Sequence, residues 1–286
     1  MITKRKIQDG RKPATGSAHL DGEEERLARQ HASPRAIVIH EIIREDGEQE
    51  LDRTTGALVF SALAGGLSMG FSFLGEALLQ ANLPDSIWRH AVASLGYSVG
   101  FVIVVLGRQQ LFTESTLTAV LPLFTERDFK TLLLTLRLWG IVVAVNLIGT
   151  WLFAALLMIK GIFPSEVSVQ LQALAQAGLH QPFLIMLIRG VLSGWLIALM
   201  VWTLPSAQSA RLLTIVLITY VVGLAELSHI VAGSTEVAYA VLSGYATFQD
   251  YFIGFVAPVL IGNTIGGVTL VSLLNHGSIA PEIHQK

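Results

Sequence analysis

The sequence contains no cysteine and has few charged residues outside its first 53 positions. The absence of cysteine excludes disulfides, thiolate metal sites and cysteine nucleophiles. Charged residues make up only 14% of the 286 residues, whereas hydrophobic residues make up 52%. The basic residues form no continuous stripe that would bind nucleic acid. This composition predicts an all-α membrane protein that crosses the bilayer several times.

Six apolar spans follow the polar N-terminal region, and short polar connections separate them. Crossing the hydrocarbon core of a bilayer requires about 20 helical residues, and each span meets this length. The spans cover residues 55–82, 91–123, 131–159, 182–204, 212–245 and 251–275. We therefore expect a six-helix transmembrane domain over residues 54–276.

The N-terminal region divides into two parts. Residues 1–32 are rich in charge and poor in large apolar groups, which predicts a disordered tail. Ser33-Pro34 is typical of a helix start and predicts an amphipathic helix over residues 33–53. Its apolar side would consist of Ile37, Val38, Ile42 and Ile43. We expect this helix to lie against the cytoplasmic face of the protein; a membrane-surface anchor is the alternative.

Lysine and arginine are distributed unevenly around the spans. If the six spans alternate in direction, one side of the membrane holds fourteen of these residues and the other holds only Arg89 and Lys160. The positive-inside rule then places both termini in the cytoplasm. Residues 277–286 would form a cytoplasmic C-terminal tail.

Two spans, residues 91–123 and 212–245, are too long for one crossing and contain polar residues near the middle. The first is interrupted by GRQQLFTEST from Gly107, and the second by ELSHIVAGST from Glu226. Backbone that leaves the helix at membrane depth is tolerated only where it is buried in protein or lines a cavity. We therefore expect the second and fifth helices to be broken, with a polar path beside the breaks.

The two halves of the chain contain similar short sequences. Ser115-Thr116 and Ser234-Thr235 are 119 positions apart, and the Asn-X-Ile-Gly runs that begin at Asn146 and Asn263 are 117 apart. Three spans per half would give the halves opposite orientations in the membrane. This pattern predicts an inverted repeat, in which the two broken helices meet near the midplane.

Several ionisable side chains fall inside the predicted spans, where each costs about 2.5–3.5 kcal/mol if it faces lipid unpaired. They must therefore face protein or water. We expect Arg108 and Glu114, which flank the first break, to form an ion pair. We also expect Glu76, Arg137 and Glu236 to belong to structural ion pairs.

His229 lies at the second break, and its unperturbed pKa of about 6.5 would let it exchange a proton near neutrality. A lone histidine in a helix is more often a packing residue. Here, however, the first break carries Thr113, whose hydroxyl could fix the imidazole tautomer. We therefore predict that Thr113 and His229 form the functional centre.

Two other kinds of function are disfavoured. The run Gly66–Gly70 fits the G-x-S-x-G pattern of hydrolases, but that motif needs a strand-turn-helix elbow, and here it falls within a predicted helix. No glycine-rich oxyanion loop accompanies Ser68 or Ser193. The breaks also lack an Asn-Pro-Ala signature, which argues against an ordinary water or glycerol channel.

The chain resembles the formate/nitrite transporter family from the Ser33-Pro34 helix to the end of the sixth span. The matching motifs are Leu111-Phe112-Thr113, His229, and Gly262-Asn263 with Gly266-Gly267. The resemblance implies an aquaporin-like protomer in a homopentamer of the bacterial inner membrane, with one substrate path per protomer. It implies transport of small monovalent anions of weak acids, such as formate, nitrite or acetate, often with a proton, and it implies no cofactor.

The resemblance also implies roles for individual residues. Thr113 and His229 would form the central pore site for the anion and the proton. Leu111, Phe112 and Phe101 would form the cytoplasmic constriction, and Tyr97, Ile197 and Val222 the periplasmic one. Such apolar constrictions strip water from an ion, so a neutral acid passes more easily than its anion. The supporting polar residues would be Asn146, Asn263, Glu226, Glu114, Arg108 and Arg189.

Some positions depart from the family pattern. Ser228 stands where members carry a glutamate before the histidine, and Gly194 stands where they usually carry an asparagine. A lysine expected near Gly178 is missing, so anion attraction at the periplasmic mouth would depend on His180 or Arg189. Two alternatives therefore remain open: a channel for a neutral or cationic solute, because of Glu114 and Glu226, and a membrane interaction protein that does not transport.

Overall fold

The computed structural model describes residues 34–179 and 181–273, together with 19–24 and 26. By its internal contacts the chain divides into two units, Met1–Arg35 and Ala36–Lys286. The second unit contains both of the predicted breaks. Most of the predicted N-terminal tail, the expected helix cap Ser33, His180 and the predicted C-terminal tail lie outside the described residues.

Helices make up the second unit, and its described residues contain no strand. A 3-10 turn covers Gln208–Ala210, and π-helical segments cover Asp250–Val256 and Gly266–Leu273. The α-helices are α1 (Ala36–Leu51), α2 (Thr55–Asn82), α3 (Arg89–Ala93), α4 (Ser98–Leu106), α5 (Phe112–Thr118), α6 (Val120–Glu126), α7 (Phe129–Leu157), α8 (Ser165–Ala177), α9 (Phe183–Thr203), α10 (Arg211–Leu224), α11 (Ala232–Leu242) and α12 (Ala257–Ile265).

Most of the predicted spans correspond to long apolar helical stretches. Among the described residues, five stretches are long and apolar enough to cross a membrane: Thr55–Asn82, Arg89–Leu106, Phe129–Leu157, Phe183–Thr203 and Asp250–Thr269. The predicted fifth span consists instead of two shorter helices, α10 and α11. The all-α membrane fold is therefore confirmed, whereas the count of six spanning helices stays a prediction.

Both predicted interruptions are present. The first break covers residues 107–111, between α4 and α5, and the second covers residues 225–231, between α10 and α11. Each break contains a non-glycine residue with a positive φ, 48° at Arg108 and 50° at Glu226. Residues other than glycine rarely adopt this left-handed backbone conformation. Arg108 and Glu226 occupy matching places in the two halves. The two breaks are therefore equivalent in the repeat.

Small residues allow close packing of the helices that support the breaks. A Cβ atom on Gly66 would overlap the carbonyl oxygen of Asn146, and one on Gly194 would overlap that of Asn263. The backbones of α2 and α7, and those of α9 and α12, therefore touch at equivalent positions, as small residues in membrane helices permit. Ser68 lies within the uninterrupted α2, so the G-x-S-x-G run forms no nucleophile elbow.

The amphipathic helix is present as α1, but its buried face differs from the prediction. Of the four expected apolar contacts only Ile43 is buried, and Val38 and Ile42 are exposed. The buried residues are Ile39, His40, Ile43, Gly47 and Leu51. The close approach at Gly47 explains the difference, because a Cβ there would overlap the carbonyl oxygen of Thr118. Packing on α5 sets the rotation of α1, and hydrophobicity alone does not reveal that contact.

Glu50 connects α1 to the first break. The Thr118 hydroxyl donates to Glu50 Oε2 at 2.5 Å, and the Gln110 side-chain amide donates to Oε1 at 3.2 Å. Enclosure by protein raises the pKa of the Glu50 carboxyl above its ordinary value of 4.5, although these hydrogen bonds act in the opposite direction. A raised carboxyl pKa means that the docked α1 favours the protonated form. Docking should therefore weaken as the pH rises from 4.5 through the raised pKa.

We expect amide exchange in α1, corrected for the intrinsic rate, to accelerate as the pH rises above 4.5. Glu50→Gln removes the titrating group, so this acceleration should be lost in the variant. Hydrogen-exchange mass spectrometry between pH 4.5 and 8 measures both. Glu45→Gln, on the exposed side of the same helix, is the matched control and should behave as wild type. A pH response that persists in Glu50→Gln would contradict the assignment.

Candidate functional site

Asn146 on α7 satisfies the backbone groups that the first break exposes. Its Oδ1 accepts from the N–H of Phe112 at 3.0 Å, and its Nδ2 donates to the carbonyl oxygen of Gln110 at 3.0 Å. Nδ2 also donates to the carbonyl oxygen of Ala62 on α2 at 2.7 Å. Unpaired backbone groups at membrane depth would cost several kcal/mol each. One buried side chain thus holds the break against two helices.

Asn263 on α12 plays the same part at the second break. Its Oδ1 accepts from the N–H of Ile230 at 2.8 Å, and its Nδ2 donates to the carbonyl oxygens of Ser228 at 3.0 Å and Gly190 at 2.9 Å. In both halves the asparagine binds an N–H and a C=O two residues apart, and a carbonyl oxygen on a neighbouring helix. The internal repeat is therefore present in the hydrogen bonds themselves.

The repeat has a slightly different register from the one the sequence suggested. Gln110 matches Ser228 and Phe112 matches Ile230, a separation of 118 positions at the breaks. The predicted match of Ser115 with Ser234 is therefore wrong by one residue. The Ser234 hydroxyl forms hydrogen bonds with the hydroxyl groups of Thr150 and Tyr251, at 2.9 and 2.6 Å.

The breaks bring the two predicted central residues together. Thr113, in the first turn of α5, lies 2.8 Å from His229, measured between Oγ1 and Nε2. Thr113 is 0% exposed and His229 is 1% exposed. The two residues are 116 positions apart in sequence. Tertiary structure therefore forms the pair that sequence reasoning proposed.

Hydrogen bonding fixes the tautomer of His229. The N–H of Ala232, at the start of α11, donates to His229 Nδ1 at 3.1 Å. Because Nδ1 accepts, the neutral ring carries its proton on Nε2, and this N–H donates to the Thr113 oxygen. The hydroxyl proton of Thr113 is then free to be donated to a bound oxygen atom. The pair thus presents a polarised hydroxyl donor in an enclosed setting.

The central pair breaks the symmetry of the repeat. By the register of the breaks, the position equivalent to His229 is Leu111, and the position equivalent to Thr113 is Val231. Leu111 and Val231 are buried apolar residues. The two equivalent breaks therefore present different side chains, and the ionisable imidazole of His229 comes from the second half alone.

Apolar residues enclose the central pair. The Phe101 ring meets the His229 imidazole edge-on at 4.9 Å, and Tyr97 packs on Phe101 at 5.5 Å. Phe112 packs edge-on against Trp139 at 6.0 Å. The other predicted constriction residues, Leu111, Ile197 and Val222, are also buried. An ion that reached the pair would lose most of its hydration shell.

A cavity of about 930 Å³, here called the α1 cavity, lies between α1 and the first break. Its charged lining is balanced, with three carboxylates and three guanidiniums: Asp46, Glu50, Glu114, Arg53, Arg108 and Arg211. The expected ion pair between Arg108 and Glu114 is wrong. Arg108 reaches outward to Asp46 on α1 at 3.2 Å, whereas Glu114 Oε1 is buried without a hydrogen-bond partner.

A second cavity of about 360 Å³, here called the distal cavity, includes no residue of α1. His229, Tyr97 and Val222 contribute to its wall. Its other ionisable lining residues are Glu76, Glu226, Glu236, His90 and Arg189. Of the two residues expected to replace the missing lysine, Arg189 lines this cavity and His180 lies outside the described residues.

The predicted structural ion pairs of Glu76, Arg137 and Glu236 are wrong for the described part of the chain. Arg137 donates instead to the carbonyl oxygen of Arg53 at 2.9 Å and to the Thr55 hydroxyl at 3.0 Å. Glu76 and Glu236 face the distal cavity. A charged group can remain in a membrane span without a counter-charge when it faces such a cavity.

Sequence reasoning missed two parts of the site. Asn146 and Asn263 were recognised as a repeat signal, but their role as the partners of the broken backbone was not. The contact of Glu50 with Thr118 and Gln110 was also missed, because it joins residues on separate elements. The similar Asn-X-Ile-Gly sequences that begin at Asn146 and Asn263 were the available signal for the role of these asparagines.

Comparison with known proteins supports the resemblance. The family model described as formate/nitrite transporter matches residues 37–277. The inner membrane protein YfdC of Escherichia coli (strain K12) is 39% identical over 252 residues, covering 88% of this chain and 81% of its own. The formate channel BtFdhC of Bacillus thuringiensis is 26% identical over 240 residues, covering 82% of this chain and 91% of its own.

Solved structures show the same fold. A pentameric formate channel with formate bound has a TM-score of 0.63 and 20% identity, over 81% of this chain and 98% of that one. A structure described as an FNT family ion channel has a TM-score of 0.66 and 22% identity, over 85% of this chain and 96% of that one. At these identities the similarity concerns the fold alone.

Replacing Asn263 by leucine should destabilise the protein by about 2–4 kcal/mol, because one N–H and two carbonyl oxygens lose their partner. Unfolding by titration with sodium dodecyl sulfate in mixed micelles measures the change. Asn82→Leu is the matched control, since Asn82 is exposed and bonds only to Leu78 of its own helix end. Equal losses in the two variants would contradict a special role for Asn263.

Proposed function

Because the chain belongs to the formate/nitrite transporter family, we propose that it moves a small monovalent weak acid of the formate class across the bacterial inner membrane. The substrate passes through each protomer, beside the Thr113–His229 pair. The enclosed contact between Thr113 Oγ1 and His229 Nε2 is the observation that carries this proposal. The formate channels among the similar proteins support formate as a substrate and a homopentamer as the assembly.

The path runs between the two cavities. Tyr97, Ile197 and Val222 narrow it on the distal side, and Leu111, Phe112 and Phe101 narrow it on the side of the α1 cavity. These side chains can form no hydrogen bonds with an anion, apart from the Tyr97 hydroxyl, so a charged substrate would cross at high desolvation cost. The same acid in neutral form avoids most of that cost. Passage as the neutral acid therefore accounts for an apolar path with a polar centre.

The central pair assists by hydrogen bonding. The Thr113 hydroxyl donates to an oxygen of the substrate, and the Nε2–H of His229 donates to the Thr113 oxygen and strengthens that donor. The anion takes up one proton from water in the cavity where it enters and releases it in the other cavity. One anion and one proton thus move together and no net charge crosses, and His229 remains neutral throughout.

The orientation follows from charge. Both termini lie in the cytoplasm, because the connections on that side hold most of the lysine and arginine residues. The α1 cavity then opens toward the cytoplasm and the distal cavity toward the periplasm. Asn146 and Asn263 hold the path open by fixing the two breaks. Arg108 lies on the cytoplasmic side, where it forms its ion pair with Asp46.

In proteoliposomes with an internal pH dye, an inward formate gradient should acidify the interior faster than in protein-free liposomes. Thr113→Val should slow this uptake about tenfold, since the variant keeps the shape and loses one hydrogen bond. Thr113→Ser is the matched control and should retain most of the rate. His229→Ala should also reduce uptake, because the partner of the hydroxyl is lost.

The same assay compares formate, acetate, nitrite and hydrosulfide across pH. Coupled uptake of the acid leaves the membrane potential unchanged, so valinomycin and potassium should have no effect on the rate. An uptake that generates charge without acidification would contradict passage of the neutral acid. Equal leakage of every anion through wild type and His229→Ala would contradict the role of the central pair.

A further inference from the structure

Glu114 places a carboxyl group next to the central pair, on the side of the α1 cavity. It directly follows Thr113 in the first turn of α5, and its side chain lines that cavity. Gln110, which precedes the constriction residue Leu111, lines the same cavity. The cavity therefore reaches the residues on both sides of the Leu111–Thr113 run. The Glu114 carboxyl faces the space into which the proposed path opens.

No described protein group satisfies this carboxyl by hydrogen bonding. Its Oε1 is buried without a hydrogen-bond partner. The nearby Arg108 forms its ion pair with Asp46 instead, at 3.2 Å. An ionised carboxylate that leaves water without such partners costs far more free energy than the neutral acid does. The position therefore suits a carboxyl that holds a proton and can pass it to a molecule in the cavity.

Charged groups from three other segments act on the Glu114 carboxyl. It interacts electrostatically with Glu50 on α1, Arg108 in the first break and Arg211 on α10. The other charged residues that line the cavity are Asp46 and Arg53. Among the described elements that pack on α5, the helices α6, α7, α9 and α12 and the segment 266–273 contribute no charged residue to this lining. Two guanidiniums thus attract the negative charge that Glu114 gains when its proton leaves.

We propose that Glu114 is the proton-exchange residue of the path on the side of the α1 cavity. It donates a proton to a weak-acid anion that enters from this cavity, and it takes the proton back from neutral acid that leaves. This step rests on the proposed function and names the group that protonates the substrate. The O–H bond of the Glu114 carboxyl breaks as an O–H bond forms on formate. A hydronium ion in the cavity then returns a proton to the carboxylate and becomes water.

The transfer moves negative charge from a mobile anion to a fixed carboxylate. An anion that advanced with its charge would lose its hydration among the apolar side chains of Leu111, Phe112 and Phe101. The same charge on Glu114 stays at the cavity, where it is attracted by two guanidiniums. The neutral acid can then enter the constriction while the counter-charge remains behind.

The pH dependence of formate uptake tests the proposal. The full-length protein is reconstituted in proteoliposomes with the same pH inside and outside. Glu114→Gln should slow uptake about a hundredfold at pH 7.5, where neutral acid is scarce and a positioned proton donor matters most. At pH 5 the solution itself supplies neutral acid, so the variant should approach the wild-type rate. A purely structural defect would slow uptake by the same factor at both pH values, and that result would overturn the proposal.

Two further variants serve as controls. Glu114→Asp keeps a carboxyl group and should restore most of the uptake at pH 7.5. Glu126→Gln removes an exposed carboxylate at the end of α6 and should behave as wild type at both pH values. Equal losses in Glu114→Asp and Glu114→Gln at pH 7.5 would contradict proton exchange by this carboxyl.

Infrared spectroscopy detects the proton on Glu114 without any transport. The difference spectrum between wild type and Glu114→Gln at pH 6.5 should contain the C=O stretching band of a protonated carboxyl. Absence of this band would show that Glu114 is ionised in the resting protein and would overturn the proposal.

The uptake measurements separate this proposal from the proposed function. Absence of weak-acid uptake by the wild type at every pH would reject the proposed function, and the step at Glu114 with it. Wild-type uptake that depends on Thr113 and His229, but has the same pH profile in Glu114→Gln, would reject the role of Glu114 alone.

Discussion

The backbone N–H and C=O groups at the two breaks need hydrogen-bond partners, and this need is the constraint on which the rest of the structure depends. Two apolar helical stretches are broken, and each break leaves backbone groups that lipid could not satisfy. Asn146 and Asn263 supply the missing partners, and each ties a break to a neighbouring helix through a carbonyl oxygen. Gly66 and Gly194 allow the helices that carry these asparagines to come close enough. Without this arrangement, neither break would have a defined shape.

The contact between Thr113 and His229 follows from the breaks. Because the two breaks lie close together, Thr113, which directly follows the first, and His229, which lies in the second, come within hydrogen-bonding distance. The backbone arrangement is repeated in both halves, but the side chains are not, since Leu111 occupies the position equivalent to His229. A symmetric scaffold thus holds an asymmetric polar site between apolar residues. That combination suits a solute that crosses with no net charge and needs one hydrogen-bond donor on the way.

The two cavities differ in the charged side chains that line them. The α1 cavity balances its carboxylates with guanidiniums, and α1 itself contributes Asp46 and Glu50 to its wall. The distal cavity has a surplus of carboxylates. Glu76 and Glu236 do not belong to the expected structural ion pairs, because both side chains face the distal cavity. The sequence alone does not reveal that cavity.

The sequence by itself determined the membrane class, the place of both breaks, the family and the identity of the central pair. Hydrophobic length, polar interruptions and the Leu111-Phe112-Thr113 and His229 motifs are local features, so they can be read along the chain. Only the tertiary structure decided the rotation of α1, the partner of Arg108, the register of the repeat and the surroundings of Glu76. Each of these depends on contacts between segments distant in sequence, such as Gly47 against Thr118, and hydrophobic patterning contains no information about which distant backbone comes close.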